Sequence, residues 1–182
     1  MTNLGIRDSG GEGHLDGDPL IQGCLHGVGE CEQLLAVIPQ SVFIAVSNGN
    51  SPIGAHLRHI LDRYQCFFSG IYQGHIDYDD RKRDKSIETN VEAASFALSS
   101  IQRRFSAFSL PEYSGKNIRV SESVYHDGEC VVLISTIDRE LMGLISHSTH
   151  HLAIIGLIAK SLGYQMSSDF GKAASTILYE RA

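Results

Sequence analysis

Apolar residues recur at intervals of three, four and seven along four separate stretches of the chain, a periodicity that commits most of it to amphipathic helices. In the first, Leu20, Cys24, Val28, Cys31, Leu35 and Ile38 follow Asp18-Pro19, an N-cap residue and a proline at the first helical position. Gly23, Gly27 and Gly29 weaken that helix. The second carries Ile53, Leu57, Ile60, Tyr64, Phe67 and Ile71 behind Ser51-Pro52, a repeat of the cap-then-proline signal. The third carries Val91, Ala94, Leu98, Ile101 and Phe105 behind Thr89-Asn-Val-Glu92, the spacing of a capping box. The fourth starts at Ser135-x-x-Asp138 and runs to Leu162, where Gly163 supplies a left-handed stop. Four such helices joined by loops predict an all-α fold, a four-helix bundle.

The segments between the stripes refine this. Ser47-Asn-Gly-Asn50 is turn chemistry. Residues 77–85 alternate in charge sign and read as a solvated interhelical loop rather than a binding patch. Residues 118–124 and 130–135 are rich in β-branched side chains and flank His126-Asp127-Gly128-Glu129, so a short β-hairpin is expected before the fourth helix. A short C-terminal helix is expected over 173–179. Residues 1–17 hold Gly10, Gly11, Gly13 and Gly17 and almost no apolar content, which predicts a flexible leader ahead of a single domain over 18–182.

Lys plus Arg number 15 and Asp plus Glu 21, so the formal charge is 15 − 21 = −6, a balance that argues against a nucleic-acid binder. The longest uninterrupted apolar run, residues 152–159, is too short to span a bilayer, and the N-terminus has no apolar signal core. A cytoplasmic protein without a membrane partner is therefore expected. Cys24, Cys31, Cys66 and Cys130 form no Cys-x-x-Cys pair and read as four reduced, buried thiols.

Nine histidines make their spacing informative. His147 and His151 stand at i and i+4 on the fourth helix, within the stripe Leu144, His147, His151, Ile154 and Ile158. Two adjacent imidazoles are costly to bury unpaired, and a divalent cation removes that cost by taking both as neutral ligands. A third ligand must come from another helix. The second offers His56 and His59: His56 lies nearer the centre of its apolar stripe, His59 on the shoulder, and periodicity alone does not choose between them.

The ordering resembles the DinB-like, or YfiT-like, metalloproteins, with His59-Ile-Leu-Asp62 matching the family's His-aliphatic-x-Asp and His147-Ser-Thr-His150-His151 its His-x-x-His-His run. Leu152 to Gly163 also fits the family's glycine-terminated fourth helix, and the likeness covers residues 18–165. The resemblance implies a metal site of His59, His147 and His151; His150, one residue from His151, points about 100° away on a helix and reads as a residue behind the ligands or an exposed one. It also implies catalysis of one type, in which a divalent metal (Zn or Ni, with Fe or Mn as alternatives) activates a low-molecular-weight thiol for transfer to an electrophile. Asp62, one turn from His59, is then the candidate catalytic orienter or base. The expected partners are a small-molecule thiol or electrophile, with a homodimer allowed. Residues 117–135 and the tail after Gly163 match no motif. The competing reading is a non-enzymatic metal-binding bundle with a stress-response or interaction role.

Other metal and cofactor patterns are missing. No His-Glu-x-x-His or Glu-x-x-His occurs, so zincin peptidases and di-iron bundles lose support. His14, His26, His75 and His126 have no partner at ligand spacing and read as surface or hydrogen-bonded residues.

Overall fold

In the computed structural model, which describes residues 17–46, 49 and 51–182, four long helices pack as a bundle. They are α1 (Pro19–Val37), α3 (Ile53–Gly70), α5 (Val91–Ser106) and α6 (Ile137–Ser161), with short helices α2 (Gln40–Phe43), α4 (Lys85–Thr89) and α7 (Ala174–Glu180) between and after them. The expected leader, apart from Gly17, and the Ser47–Asn50 turn, apart from Gly49, lie outside the described residues. Going round the bundle, α1 touches α6, α6 touches α3, α3 touches α5, and α5 returns to α1. The two helices that carry the histidine pairs are therefore neighbours.

The apolar stripes form the core. Cys24, Val28, Cys31, Leu57, Ile60, Tyr64, Phe67, Leu98, Ile101, Phe105, Leu144 and Leu152 are all buried. The glycines of α1 have a packing role: a Cβ at Gly23 would stand 2.7 Å from Ile145 Cδ1, so its absence lets α1 lie close against α6. By length and composition α6 could cross a membrane (25 residues, mean hydropathy 1.3 over its most apolar window), where the longest apolar run had suggested it could not. In the fold it packs between α1 and α3.

The helix ends are specific. Asp18 accepts from Leu20 N at 2.8 Å, as its place before Pro19 predicts. At the end of α6, Gly163 adopts φ 87°, Gly163 N donates to Lys160 O and Tyr164 N donates to Ala159 O, the paired bonds of a Schellman motif. Three expected caps shift by one residue. Asn90, not Thr89, caps α5 by accepting from Ala93 N, because Thr89 ends α4 and bonds back to Lys85 O. Thr136, not Ser135, caps α6, because Ser135 still belongs to a strand and its hydroxyl donates to Glu140. Helix α3 begins at Ile53 behind Pro52, with no side-chain cap from Ser51.

The hairpin is present and larger than expected. Strands β2 (Asn117–Ser123) and β3 (Cys130–Thr136) pair antiparallel, from Asn117↔Thr136 to Ser123↔Cys130. A further strand, β1 (His75–Asp77), pairs parallel with β2 and completes a three-stranded sheet in the order β1-β2-β3. The charged run 77–85 is thus anchored rather than simply solvated: Tyr78 is buried and donates to Glu140 Oε2 at 2.8 Å, and Asp79 accepts from Ser123 N at 2.6 Å. Alternating charge had hidden the buried tyrosine between them.

Candidate metal centre

Helix α3 carries His56 and His59, and α6 carries His147, His150 and His151. The buried line of α6 runs Leu141, Leu144, Ser148, Leu152 and Ile155, which moves His147 and His151 from the stripe centre to its edge. Ser148 takes the central place because its hydroxyl bonds Tyr64 OH of α3 at 2.9 Å inside the core. His59 is partly buried too. The site is therefore a seam between two helices, not a pocket in the middle of the bundle.

Across this seam one ring nitrogen from each of His59, His147 and His151 lies within 4.8 Å of the other two. Ring centroids are 4.8 Å apart for His59 and His147, 4.7 Å for His59 and His151, and 4.6 Å for His147 and His151. A cation held by three imidazoles takes metal–nitrogen distances of ~2.0–2.1 Å, so the three rings would have to close in from this spacing to hold one. Two observations fit the donor set to a cation. His147 Nε2 is buried without a hydrogen-bond partner, a cost a metal bond would remove. All three rings are held neutral at ordinary pH: burial, joined by neighbouring His and Arg side chains, pulls His59, His147 and His151 down to about 4.

His56 joins the site from outside the triad. Its Nδ1 lies 3.1 Å from His151 Nδ1, so one of the two donates and the other accepts. When His151 donates, its Nε2 is left as the lone-pair nitrogen, the arrangement by which a neighbour orients a ligating imidazole. Both histidines left open by periodicity thus face α6, in different positions. His150 is exposed, with its ring centroid 5.2 Å from that of His151.

The surroundings are positive. Arg81, from the connection after β1, donates from Nη1 to His59 Nδ1 at 3.2 Å. Arg63, one turn after His59, lies 3.7 Å from the Tyr78 ring centroid and pairs with Glu122. The Nε atoms of Arg63 and Arg81 are both buried without partners. Arg63 also lines a groove of about 370 Å³ walled by Tyr78, Val131, Leu133, Glu140 and Gly143. Gly143 of this lining is one turn before His147 on α6, and Arg63 one turn after His59 on α3. Neither arginine was visible as a site residue in the sequence, where both sit among ordinary helical or alternating charges.

Asp62 is buried and accepts from Arg58 Nη1 at 2.6 Å, while Arg58 Nε donates to Glu88 Oε2 at 2.9 Å. Burial pushes the Asp62 carboxyl up, and Arg58 pulls it back down. No hydrogen bond joins Asp62 to any of the histidines among the described residues. Of the other histidines, His75 bonds Ser121 Oγ at 2.8 Å, His26 lies 3.9 Å from Glu30, and His126 pairs with Asp127 in the exposed hairpin loop; His14 is outside the described residues. Three cysteines are buried, and burial pushes the Cys24 and Cys31 thiols up to about 12 and Cys66 to about 11. Cys130 departs from the expectation of four buried thiols: it is exposed, because β3 has an uncovered side.

No family model and no curated protein sequence matches the chain. Among solved structures it is similar to YfiT from Bacillus subtilis, described as a probable metal-dependent hydrolase with an unusual four-helix bundle topology. That likeness has a TM-score of 0.58 and 16% identity, and it covers 88% of this chain and 95% of the other. With the element order and bundle packing above, the chain shares the four-helix-bundle fold of that structure.

Proposed function

We propose that the chain is a metal-dependent enzyme in which His59, His147 and His151 hold one divalent ion, and that it transfers a low-molecular-weight thiol to an electrophile. The observation that carries the metal is the buried, partnerless His147 Nε2 within a ring of three neutral imidazoles. Three protein ligands leave at least one coordination position open, as catalytic sites do and closed structural sites do not. Imidazole donors suit Zn and Ni, and Fe or Mn less selectively. The bound ion would supply Lewis acidity, lowering the pKa of a coordinated thiol or water.

The chain's own residues support an anionic thiolate over water. Arg63 and Arg81 favour a negative group at the open side. The α3 carboxylate, Asp62, is already committed to Arg58 and so is not free to act as base on water. Val131 and Leu133 offer the groove an apolar wall for an electrophile. Hydrolysis is the second reading, favoured by the description of YfiT.

Elemental analysis of purified variants tests the ligand set. His59→Ala, His147→Ala and His151→Ala should each lose most of the metal, and His150→Ala should keep it. A panel of cellular thiols against a chromogenic electrophile, with chelated protein as control, tests the activity. Turnover only with metal supports transfer. Ester hydrolysis without thiol would favour the second reading, and equal rates with and without metal would leave a non-enzymatic metal-binding bundle.

A further inference from the structure

A cavity of about 230 Å³ lies where α1, α6 and the tail helix α7 meet. The glycines of α1 leave room for it: a Cβ at Gly27 would meet nothing closer than Tyr64 Oη at 3.5 Å. Ile145 and Ile177 give it apolar walls. Its volume is below the ~300–1,000 Å³ of sites for drug-sized ligands, so it suits a smaller molecule. It lies on the α1 side of α6, whereas the histidine cluster lies on the α3 side, and the two share no residue.

The polar groups that border this cavity accept hydrogen bonds. Glu30, on the inward face of α1, is only 7% exposed. One oxygen of its carboxylate accepts from Gly171 N at 2.8 Å. The other has no hydrogen-bond partner among the described residues, and only the exposed His26 ring approaches it, at 3.9 Å. The cations of the tail are committed elsewhere: Lys172, which also borders the cavity, pairs with Glu180, and Arg181 pairs with Asp169. Ser148 gives its one hydroxyl proton to Tyr64 Oη and Thr149 its own to the Ile145 carbonyl, so both keep only lone pairs. A carboxylate buried this far costs free energy until a cation or a donor meets it, and burial pushes the Glu30 carboxyl up.

We propose that this cavity is a binding site for a small primary ammonium ion carried on a short apolar stem. Such a head group offers three N–H donors and no acceptor, the complement of a free carboxylate oxygen beside two hydroxyl oxygens that only accept. Its charge meets Glu30 in a charge-assisted hydrogen bond, and its stem lies against Ile145 and Ile177. A neutral alcohol brings one donor and no charge, and an anion is opposed by Glu30. The inference is independent of the metal reading.

Titration of the full chain with n-butylammonium, followed by methyl NMR, should shift the Ile145 and Ile177 methyl signals saturably. n-Butanol should bind ~10-fold more weakly or worse, the worth of one charge-assisted hydrogen bond. Glu30→Gln keeps the length of the side chain and an oxygen for Gly171 N but removes the charge. It should weaken n-butylammonium by a similar ~10-fold with unchanged helical circular dichroism. Ala174→Trp, at the exposed rim of the cavity, leaves Glu30 in place and should abolish the shifts by filling the entrance. A natural chain whose Ile145 and Ile177 methyls show no saturable shift would overturn the proposal. So would equal affinity for n-butanol, or n-butylammonium binding that survives either folded variant at full strength.

Discussion

Lowering the pH of the chelated protein from neutral to 5 should destabilise it sharply. His59, His147 and His151 have folded-state values of about 4 against an ordinary 6.5, so the unfolded chain takes up protons first. The stability tied to these neutral rings is therefore fully present above pH 6.5 and is lost as the pH falls toward 4. Between pH 6.5 and pH 5 each ring costs the folded state about 2 kcal/mol, at ~1.4 kcal/mol per pH unit. The rings keep some contact with water, and screening reduces such figures; halving them gives about 3 kcal/mol for the three together. For a chain of this length that is a fall in melting temperature of about 6–12 °C, at ~2–4 °C per kcal/mol. Glu30 and Asp62 work the other way, since burial pushes both carboxyls up and the folded form gains protons there as the pH falls. Thermal unfolding of chelated protein followed by circular dichroism, at half-unit steps of pH, measures the slope. His151→Gln removes one titrating ring and should shallow it by about a third. A melting temperature that stays level from pH 7.5 to 5, or a slope untouched by His151→Gln, would refute the linkage.

His56→Ala should weaken metal binding by ~10–100-fold without abolishing it, because His56 contacts His151 from outside the triad; a competitive chelator titration measures this. Asp62→Asn should leave the metal in place and cost ~1–3 kcal/mol in urea unfolding, since it breaks a buried pair with Arg58. Metal loss at full stability would instead give Asp62 a role at the site. Gly54→Ala should cost ~1–3 kcal/mol, because its Cβ would stand 2.0 Å from Glu88 O and force α3 and α4 apart; the same urea titration reads it.

The bundle was legible because its signal is redundant. Each long helix repeats its stripe over several turns, and a terminal Pro or Gly marks most of the ends. The histidine cluster was only half legible. The i, i+4 pair on α6 is a local pattern, but the choice between His56 and His59 depends on how far α3 is rotated against α6, and no local pattern encodes that rotation. Strand β1 was missed because three residues are too few to show a period, and its partner β2 lies some forty positions on. Arg81 was missed for a related reason: an alternating charge run looks the same whether it is solvated or folded over a histidine. The one-residue errors at Thr89 and Ser135 share a cause, since each belongs to a neighbouring element that claimed it first.

The placement of the small sheet bears on the histidines it never touches. β1 follows α3 after the connection 71–74, and β3 runs straight into α6 through Thr136 and Ile137. The sheet therefore works as a gauge block between the end of one histidine helix and the start of the other. Its strand register sets the axial offset of His59 against His147, just as the Ser148–Tyr64 bond sets their rotation. Trimming a buried residue of this block, such as Ile76 or Ile118, would let the helices slide by a fraction of a turn. Such a variant would keep every imidazole and still misalign them, a loss of site precision whose cause lies wholly in the sheet.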